Sequence, residues 1–319
     1  MAKQEPSLAH GGKPGEQWAL PWQQQGKTGV VVVGNVGIDT CVYGQHDAGK
    51  ETHFSKNLDF IGQAGAYCAR GFQRLGHATS FIGHVGNDPW GRQIRATFEE
   101  EGIDLRALGT DPEGTARSIN LMASDGSRVN YYDGKGHMHL EADVPLARQV
   151  MKGAGLAHFH LANWARTLLK PARQEGLCVS CDLQDVREIS DPYRQDFIEA
   201  ADIIFFSAAN IGEVEVAIQE CFRRSKAQVV IVGMGKDGCA YATRQGISYL
   251  AAADHEHPVV DTNGAGDGLA VGFLSAYVLE GRPLTEAIKR GSRLARHTCT
   301  LQTGSDDLIT AQALGEYSS

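Results

Sequence analysis

Continuous apolar runs along the chain predict strands that are buried on both faces of a parallel sheet. Such runs occupy residues 29–33, 201–206 and 228–232, and a strand covered on both sides does not alternate polar and apolar positions. Helix-like segments lie between and after them, at 65–75, 90–101, 195–200, 211–222, 268–279 and 284–301. Because strands alternate with helices, the pattern predicts an α/β fold with a doubly wound, mainly parallel sheet flanked by helices.

Two segments interrupt this rhythm with alternating polar and apolar residues, about 42–61 and about 112–135. In the second, two extended stretches flank Asp125-Gly126, a pair that favours a hairpin turn. These segments predict a small β-sheet inserted into the large domain, where it would act as a lid over the cleft at the strand ends. The polar residues 1–28 are interpreted as a flexible N-terminal extension, and 29–319 as one domain.

Composition and charge exclude several classes of function. The net charge of −8, without a basic cluster, argues against binding to nucleic acid. No apolar run reaches the roughly 18 residues that a membrane span needs, and the first residues lack the layout of a signal peptide. The seven scattered cysteines are typical of reduced thiols, and Cys178 and Cys181 are interpreted as core residues. We therefore expect a cytoplasmic protein that binds neither membranes nor nucleic acid.

A glycine-rich turn joins an apolar strand, which ends at Val260, to a long predicted helix. The turn reads Asp261-Thr262-Asn263-Gly264-Ala265-Gly266-Asp267. Gly264 and Gly266 let backbone N–H groups approach an anion, and the N-terminus of the helix favours negative charge. Asp267 can take a proton from an attacking hydroxyl, although an Asp here can also cap the helix. The complete string favours phosphoryl transfer.

This string resembles the D-T-x-G-A-G-D motif of the ribokinase (PfkB-type carbohydrate kinase) family and matches it at every fixed position. Residues 81–91, Phe-Ile-Gly-His-Val-Gly-Asn-Asp-Pro-Trp-Gly, resemble that family's F-I-G-x-V-G-x-D-x-F-G. The resemblance runs from about residue 30 to 303. It implies a ribokinase-like fold whose inserted sheet is a lid and a common dimer surface. It also implies ATP-dependent phosphorylation of a hydroxyl of a sugar or sugar derivative.

On the catalytic and nucleotide side, the resemblance implies roles for matching positions. Asp267 would be the base, and Gly264, Ala265 and Gly266 would form the anion hole. Asn210 and Glu213 resemble an N-x-x-E motif that organises Mg²⁺ largely through water, although an Asn N-cap with Glu three residues later explains them equally well. ATP would meet the loop that contains Gly233, Gly235, Lys236 and Gly238, in which Gly233 replaces the usual Thr. Asp261 and Thr262 lie where some members bind a monovalent cation such as K⁺.

On the substrate side, the resemblance assigns Asp39 to sugar hydroxyls, in keeping with a carboxylate that accepts two hydrogen bonds from a diol. The family's G-G-x-x-x-N appears here as Gly62 to Tyr67, with Gln63 in place of the second Gly and Tyr67 in place of the Asn. These departures indicate an acceptor other than plain ribose. The substrate-binding candidates, Asp267 included, are therefore Gly37, Asp39, Gln63, Gly65, Tyr67, Arg117 and Asp267.

Two other functions compete with a sugar kinase. A nucleoside kinase of the same fold is one, since Tyr67 could stack on a base. A non-catalytic regulator that binds sugar or nucleotide is the other, but the intact Asp267 favours an enzyme. His158 and His160 would share one face of a strand, and such a pair without further ligands is expected to be structural.

Overall fold

The structure is a computed structural model that describes residues 27–44, 54–123, 128–302 and 304–316. Its strands, in chain order, are β1 (Gly29–Val33), β2 (Gly37–Tyr43), β3 (Lys56–Gly62), β4 (Thr79–Gly86), β5 (Leu108–Asp111), β6 (Ala116–Met122), β7 (Arg128–Asp133), β8 (Ala154–Phe159), β9 (Cys178–Asp185), β10 (Ile203–Ser207), β11 (Val229–Gly233), β12 (Cys239–Thr243) and β13 (Gly246–Leu250). Its α-helices are α1 (Ala64–Arg74), α2 (Pro89–Glu100), α3 (Val144–Met151), α4 (Arg166–Gln174), α5 (Gln195–Ala200), α6 (Val214–Arg224), α7 (Ala265–Leu274), α8 (Leu284–Thr298) and α9 (Ala311–Glu316). A π-helical turn, Ser275–Leu279, continues α7.

The main sheet has nine strands in the order β13-β12-β11-β10-β9-β8-β1-β4-β5. Pairing is parallel from β5 to β11, and β12 and β13 add antiparallel strands at one edge. The predicted α/β class is confirmed.

Helices cover both faces of this sheet, which explains the continuous apolar runs. Along β1, Val30 and Val32 join a core with α1, α2, α7 and α8. Val31 and Val33 join a second core with α3, α4, α5 and α6. Both faces of β1 are therefore shielded from water, and each buried apolar side chain stabilises the fold by about 1.5–3 kcal/mol.

A separate four-stranded sheet, in the order β3-β2-β6-β7, forms the predicted lid sheet. Its central strands β2 and β6 are parallel, and each outer strand is antiparallel to its neighbour. The lid starts earlier than the predicted residue 42, because β2 begins at Gly37 and pairs there with Ala116 and Gly62. The predicted Asp125-Gly126 turn, residues 45–53 of the first lid segment and residues 1–26 of the extension lie outside the described residues.

The second sequence motif forms a joint between the main domain and the lid. Asp88 caps α2 by accepting a hydrogen bond from Gly91 N at 2.8 Å. The same carboxylate accepts bonds of 2.8 Å from both the backbone N–H and the hydroxyl of Thr115, which directly precedes β6. Thr115 also accepts a 3.0 Å bond from Gly86 N. The motif thus fixes the start of a lid strand to the end of β4.

The sequence predicts reduced cysteines and no membrane-spanning segment. All seven cysteines are free, and six of them, including Cys178 and Cys181, are buried. Among the helices of the described ranges, none combines the length and apolarity needed to cross a bilayer.

Candidate active site

The glycine-rich turn enters α7 through a left-handed residue. Gly264 is the N-cap, with φ 73° and ψ 0°, and a Cβ placed there would lie 2.4 Å from the ring of Tyr67. Both the backbone angle and the contact therefore require glycine. A Cβ on Gly266 would meet nothing within 4 Å, so this residue leaves open space at the N-terminus of the helix. Such a surface of backbone N–H groups suits an anion.

Asp261 shapes the turn from within. It is buried, and its carboxylate accepts a 2.8 Å bond from the backbone of Asn263 and a 3.1 Å bond from that residue's side-chain amide. Thr262 is exposed, and its hydroxyl accepts a 3.3 Å bond from Arg128 of β7. The predicted cation ligands thus have structural partners, and one of these partners comes from the lid.

Asp267 lies in the first turn of α7 and is half-buried. Burial raises its pKa well above the usual carboxyl value, and the nearby charge of Asp182 raises it further. The thiol of Cys68 donates to its Oδ1 at 3.6 Å, which acts in the opposite direction. A carboxylate with a raised pKa beside the predicted anion site is suited to accept a proton.

Asp39 is on lid strand β2, buried rather than in a solvated loop. Its Oδ1 accepts a 2.6 Å bond from the Ser118 hydroxyl and a 2.9 Å bond from the side-chain amide of Gln63. The backbone N–H of Gln63 donates to Oδ2 at 3.3 Å. Burial raises the pKa of Asp39, although these hydrogen bonds act to lower it.

Gln63 is the N-cap of α1 and has φ 73°, a conformation that favours glycine. Its side chain also donates to the Ser118 hydroxyl at 2.7 Å. The residue that departs from the family motif is therefore bound to the predicted substrate carboxylate. Sequence reasoning did not identify Ser118, which reaches Asp39 only through the pairing of β6 with β2.

The other substrate-side candidates are placed differently. Tyr67 is 5% exposed, with its ring against Gly264. Arg117 donates to the Thr40 hydroxyl at 3.2 Å, and its guanidinium lies 5.6 Å from the centre of the Trp90 ring. At Gly37 and Gly65 the chain lies close to neighbouring backbone. A Cβ on Gly37 would lie 2.2 Å from Ala116 O, and a Cβ on Gly65 would lie 2.4 Å from Asn35 O.

The predicted nucleotide loop follows β11. Gly233 ends that strand, and Gly235 and Gly238 have φ of 58° and 93° on either side of a short turn that contains Lys236. A Cβ on Gly238 would lie 2.1 Å from Leu250 O, so the turn requires glycine there. Lys236 is exposed.

Asn210 and Glu213 lie on the loop before α6, not on its first turn as the sequence indicated, because α6 begins at Val214. Asn210 does not cap the helix. Its amide donates to Oδ2 of Asp185 at 2.6 Å, at the end of β9. Asp185, Asn210 and Glu213 are all exposed and offer oxygen atoms. This set of donors fits a hydrated Mg²⁺.

Comparisons with known proteins agree on one family. A family profile described as pfkB family carbohydrate kinase matches residues 27–311. The chain is 28% identical over 294 residues to the acarbose 7(IV)-phosphotransferase of Actinoplanes sp., covering 90% of this chain and 97% of that protein. It is 27% identical over 330 residues to the 5-dehydro-2-deoxygluconokinase of Geobacillus thermodenitrificans, covering 93% and 95%.

Solved structures give the same picture. The microbiome-derived acarbose kinase Mak1 has a TM-score of 0.84 at 29% identity, over 91% of this chain and 98% of that one. The ribokinase of Arabidopsis thaliana complexed with ribose and ATP has a TM-score of 0.75 at 20% identity, over 91% and 98%. The second likeness concerns the fold alone.

Proposed function

This chain belongs to the pfkB family of carbohydrate kinases, and we propose that Asp267 is the base with which it activates a sugar hydroxyl. Its reaction is the ATP-dependent phosphorylation of a sugar or sugar derivative. One observation carries the assignment of the base. Asp267 is in the first turn of α7, directly after the open glycine-rich entry to that helix.

In the proposed reaction, the acceptor hydroxyl lies between Asp267 and the γ-phosphate of ATP. Asp267 takes the hydroxyl proton while the oxygen forms a bond to the γ-phosphorus, and the bond to the bridging oxygen of ADP breaks. Backbone N–H groups of Gly264, Ala265 and Gly266 stabilise the charge on the transferring group. Their positions are set before the substrates bind, because Tyr67 and Asp261 hold the turn from behind.

The nucleotide would bind beside the turn formed by Gly233, Gly235, Lys236 and Gly238. Mg²⁺, when bound, neutralises charge on the phosphates. Asp185, Asn210 and Glu213 are the residues that would hold it, largely through water, since their oxygens are exposed at the ends of β9 and β10. A monovalent cation such as K⁺ is proposed near Asp261 and Thr262.

The acceptor would be held by Asp39 with Gln63 and Ser118. These groups form one hydrogen-bonded set, so an incoming hydroxyl meets a carboxylate whose orientation is already fixed. Gln63 fills space that a glycine would leave open. We therefore propose a sugar derivative other than ribose, with Arg117, Tyr67, Gly37 and Gly65 shaping the pocket around it.

The nucleoside-kinase alternative depended on Tyr67 as a stacking platform. Its ring is 5% exposed and is covered by Gly264, so this residue offers no open face to a base. The regulator alternative lacks support as well, because the two relatives compared above are named as enzymes.

We propose a cytoplasmic protein that dimerises through the lid. All six residues of the outer lid strand β7 are exposed, and among them Val129 and Tyr131 expose 56% and 60% of their surface. Light scattering of the wild type and of Tyr131→Glu would test the dimer. The wild type should have twice the mass of one chain, and the variant should have the mass of a single chain.

The function is tested by an ADP-release screen with Mg-ATP and a panel of acceptors. The panel should include acarbose, 5-dehydro-2-deoxygluconate, fructose, ribose and nucleosides, with Asp267→Asn as the inactive control. We expect turnover of a sugar or sugar derivative and background rates with nucleosides. Equal turnover by wild type and Asp267→Asn would overturn the assignment of the base.

A further inference from the structure

His160 is a buried polar side chain that makes no hydrogen bond with the described residues. It follows β8, is 2% exposed, and neither Nδ1 nor Nε2 has a partner. Space for its ring is built into the fold, because a Cβ on Gly34 would lie only 2.7 Å from its Cδ2. Leaving a buried polar group unpaired costs about 1–3 kcal/mol. The sequence predicts a structural histidine, and no side-chain hydrogen bond within the described residues accounts for its burial.

His160 belongs to two groups of potential metal ligands. Ligand atoms of His160, Asp182 and Asp267 lie within 4.8 Å of one another, and so do those of Cys68, His158 and His160. Cys68 Sγ is 3.6 Å from Oδ1 of Asp267, so the two groups adjoin. They come from α1, the end of β8, β9 and α7.

The electrostatics of this cluster favour a cation. Asp182 is buried and accepts a hydrogen bond from the backbone of Gln184. A carboxylate oxygen of Asp267 lies within 4.8 Å of it. His160 is buried, and neither of its ring nitrogens has a hydrogen-bond partner among the described residues, so a nitrogen is available to a metal. Two carboxylates, one buried and one half-buried, beside an imidazole would be stabilised by a dication.

We propose that His160, Asp182 and Asp267 form a binding site for a transition-metal dication of the Zn²⁺ class, and that Cys68, whose Sγ lies 3.6 Å from Asp267 Oδ1, is drawn in as a fourth ligand on binding. Nitrogen and sulfur donors select such an ion over Mg²⁺, which prefers oxygen and water. A tetrahedral ion with bonds of about 2.0–2.3 Å sets its ligands about 3.3–3.7 Å apart. The ligand atoms of His160, Asp182 and Asp267, which lie within 4.8 Å of one another, would therefore move closer by up to about 1 Å when it binds. The Cys68 proton is released to solvent.

Such an ion would stop catalysis, a consequence that rests on the proposed function of Asp267. The metal would take the carboxylate lone pair that accepts the hydroxyl proton. Inhibition would therefore be overcome by a chelator that removes Zn²⁺ while excess Mg²⁺ remains. The binding site itself is independent of the reaction, so it is tested without ATP or sugar.

The test uses the full chain, treated with a chelator and desalted, and titrated with CoCl₂ followed by absorption and with ZnCl₂ followed by calorimetry. We expect one ion per chain, visible-region bands of tetrahedral cobalt, and a near-ultraviolet thiolate-to-cobalt band that Cys68→Ser removes. His160→Gln, which keeps a polar side chain of similar length, should weaken binding at least about tenfold. Asp182→Asn provides a second variant if His160→Gln does not fold, as judged by circular dichroism.

The matched control is His257→Gln, because the rings of His255, His257 and His297 form a separate, more exposed group with centroids 5.5 and 5.8 Å apart. Binding that His257→Gln removes and His160→Gln leaves unchanged would overturn the site, as would titrations in which no ion binds the wild type. Cobalt binding that depends on both His160 and Asp267 but leaves kinase activity intact would support the site and refute Asp267 as base. If Asp267→Asn loses activity and the wild type binds no metal, the metal site is refuted and Asp267 is supported as the base.

Discussion

The side-chain amide of Gln63 donates a 2.9 Å hydrogen bond to Oδ1 of Asp39, joining the start of α1 to lid strand β2. Gln63 does so from a left-handed backbone conformation, φ 73°, which costs a non-glycine residue roughly 1 kcal/mol. The strain and the hydrogen bond come together at a position where the family motif has glycine. This pairing supports the proposal that Gln63 shapes the acceptor site.

Replacement of Gln63 by glycine should therefore change the substrate profile more than the stability. Relief of backbone strain offsets the lost hydrogen bonds, so we expect the free energy of unfolding to change by less than about 1 kcal/mol. KM for the sugar should rise about tenfold with KM for ATP unchanged. Lys135→Gly, at another left-handed position with φ 52°, controls for the backbone effect, and equal sugar KM values in wild type and Gln63→Gly would contradict the prediction.

The two glycines of the anion hole should respond differently to alanine. Gly264→Ala forces a Cβ to within 2.4 Å of the Tyr67 ring at φ 73°, so it should lower the free energy of unfolding by about 2–4 kcal/mol. Gly266→Ala meets no atom within 4 Å and should keep wild-type stability. Its methyl group would nevertheless intrude on the anion site, and we expect kcat to fall at least tenfold. Denaturant melts and steady-state kinetics of the pair measure both effects.

Asp267→Asn should reduce kcat by about 10²–10⁴-fold, the range for loss of a general base, while nucleotide binding and folding persist.

Burial, reinforced by Asp182, raises the pKa of Asp267. The folded protein thus holds this proton more tightly than the unfolded chain, and ionisation destabilises the fold as pH rises above the unfolded-state value of about 3.9. Relative to wild type, Asp267→Asn should gain stability from pH 4 upward. Melts across pH, with the exposed Asp254→Asn as control, would show this trend, and a flat difference would count against it.

Asp182→Asn should shift the pH dependence of catalysis. The charge of Asp182 raises the pKa of Asp267, and Asp267, as the proposed base, works only when deprotonated. Removing that charge lowers the pKa of Asp267, so the acidic limb of the kcat/KM profile should move to lower pH. The exposed variant Asp196→Asn should leave the limb in place. An unmoved limb in Asp182→Asn would show that the two carboxylates are not coupled during turnover.

Asp88→Ala should weaken both a helix and the lid joint. Partial burial raises the pKa of Asp88, but hydrogen bonds from Gly91 and Thr115 outweigh it and leave the pKa below the usual value. Its stabilisation, about 1–2 kcal/mol for a cap, is present at neutral pH and is lost as pH falls below about 4 and through the folded-state pKa. Asp143→Ala removes a comparable cap from α3, with a 2.9 Å bond to Leu146 N. Only Asp88→Ala should also raise KM for the sugar.

Much of the fold follows from short-range pattern. The run at 29–33 predicted β1, and the segments 65–75 and 195–200 predicted α1 and α5 to within one residue, because periodicity and length are local properties. Boundaries in loops were less accurate. The helix expected to begin at 211 begins at Val214, because residues 210–213 form a loop in which Asn210 bonds to Asp185 rather than to the helix backbone.

The sequence by itself determined the reaction class, because the glycines and Asp267 of the phosphate-binding turn are adjacent in the chain and their spacing suffices. Only the tertiary structure decided which side chains share the cleft. Gln63 reaches Asp39, Tyr67 is buried behind Gly264, and His160 meets Asp182 and Asp267. These partners are separated by up to about two hundred residues of intervening chain, so their distances depend on strand order and helix packing. No local pattern encodes those distances.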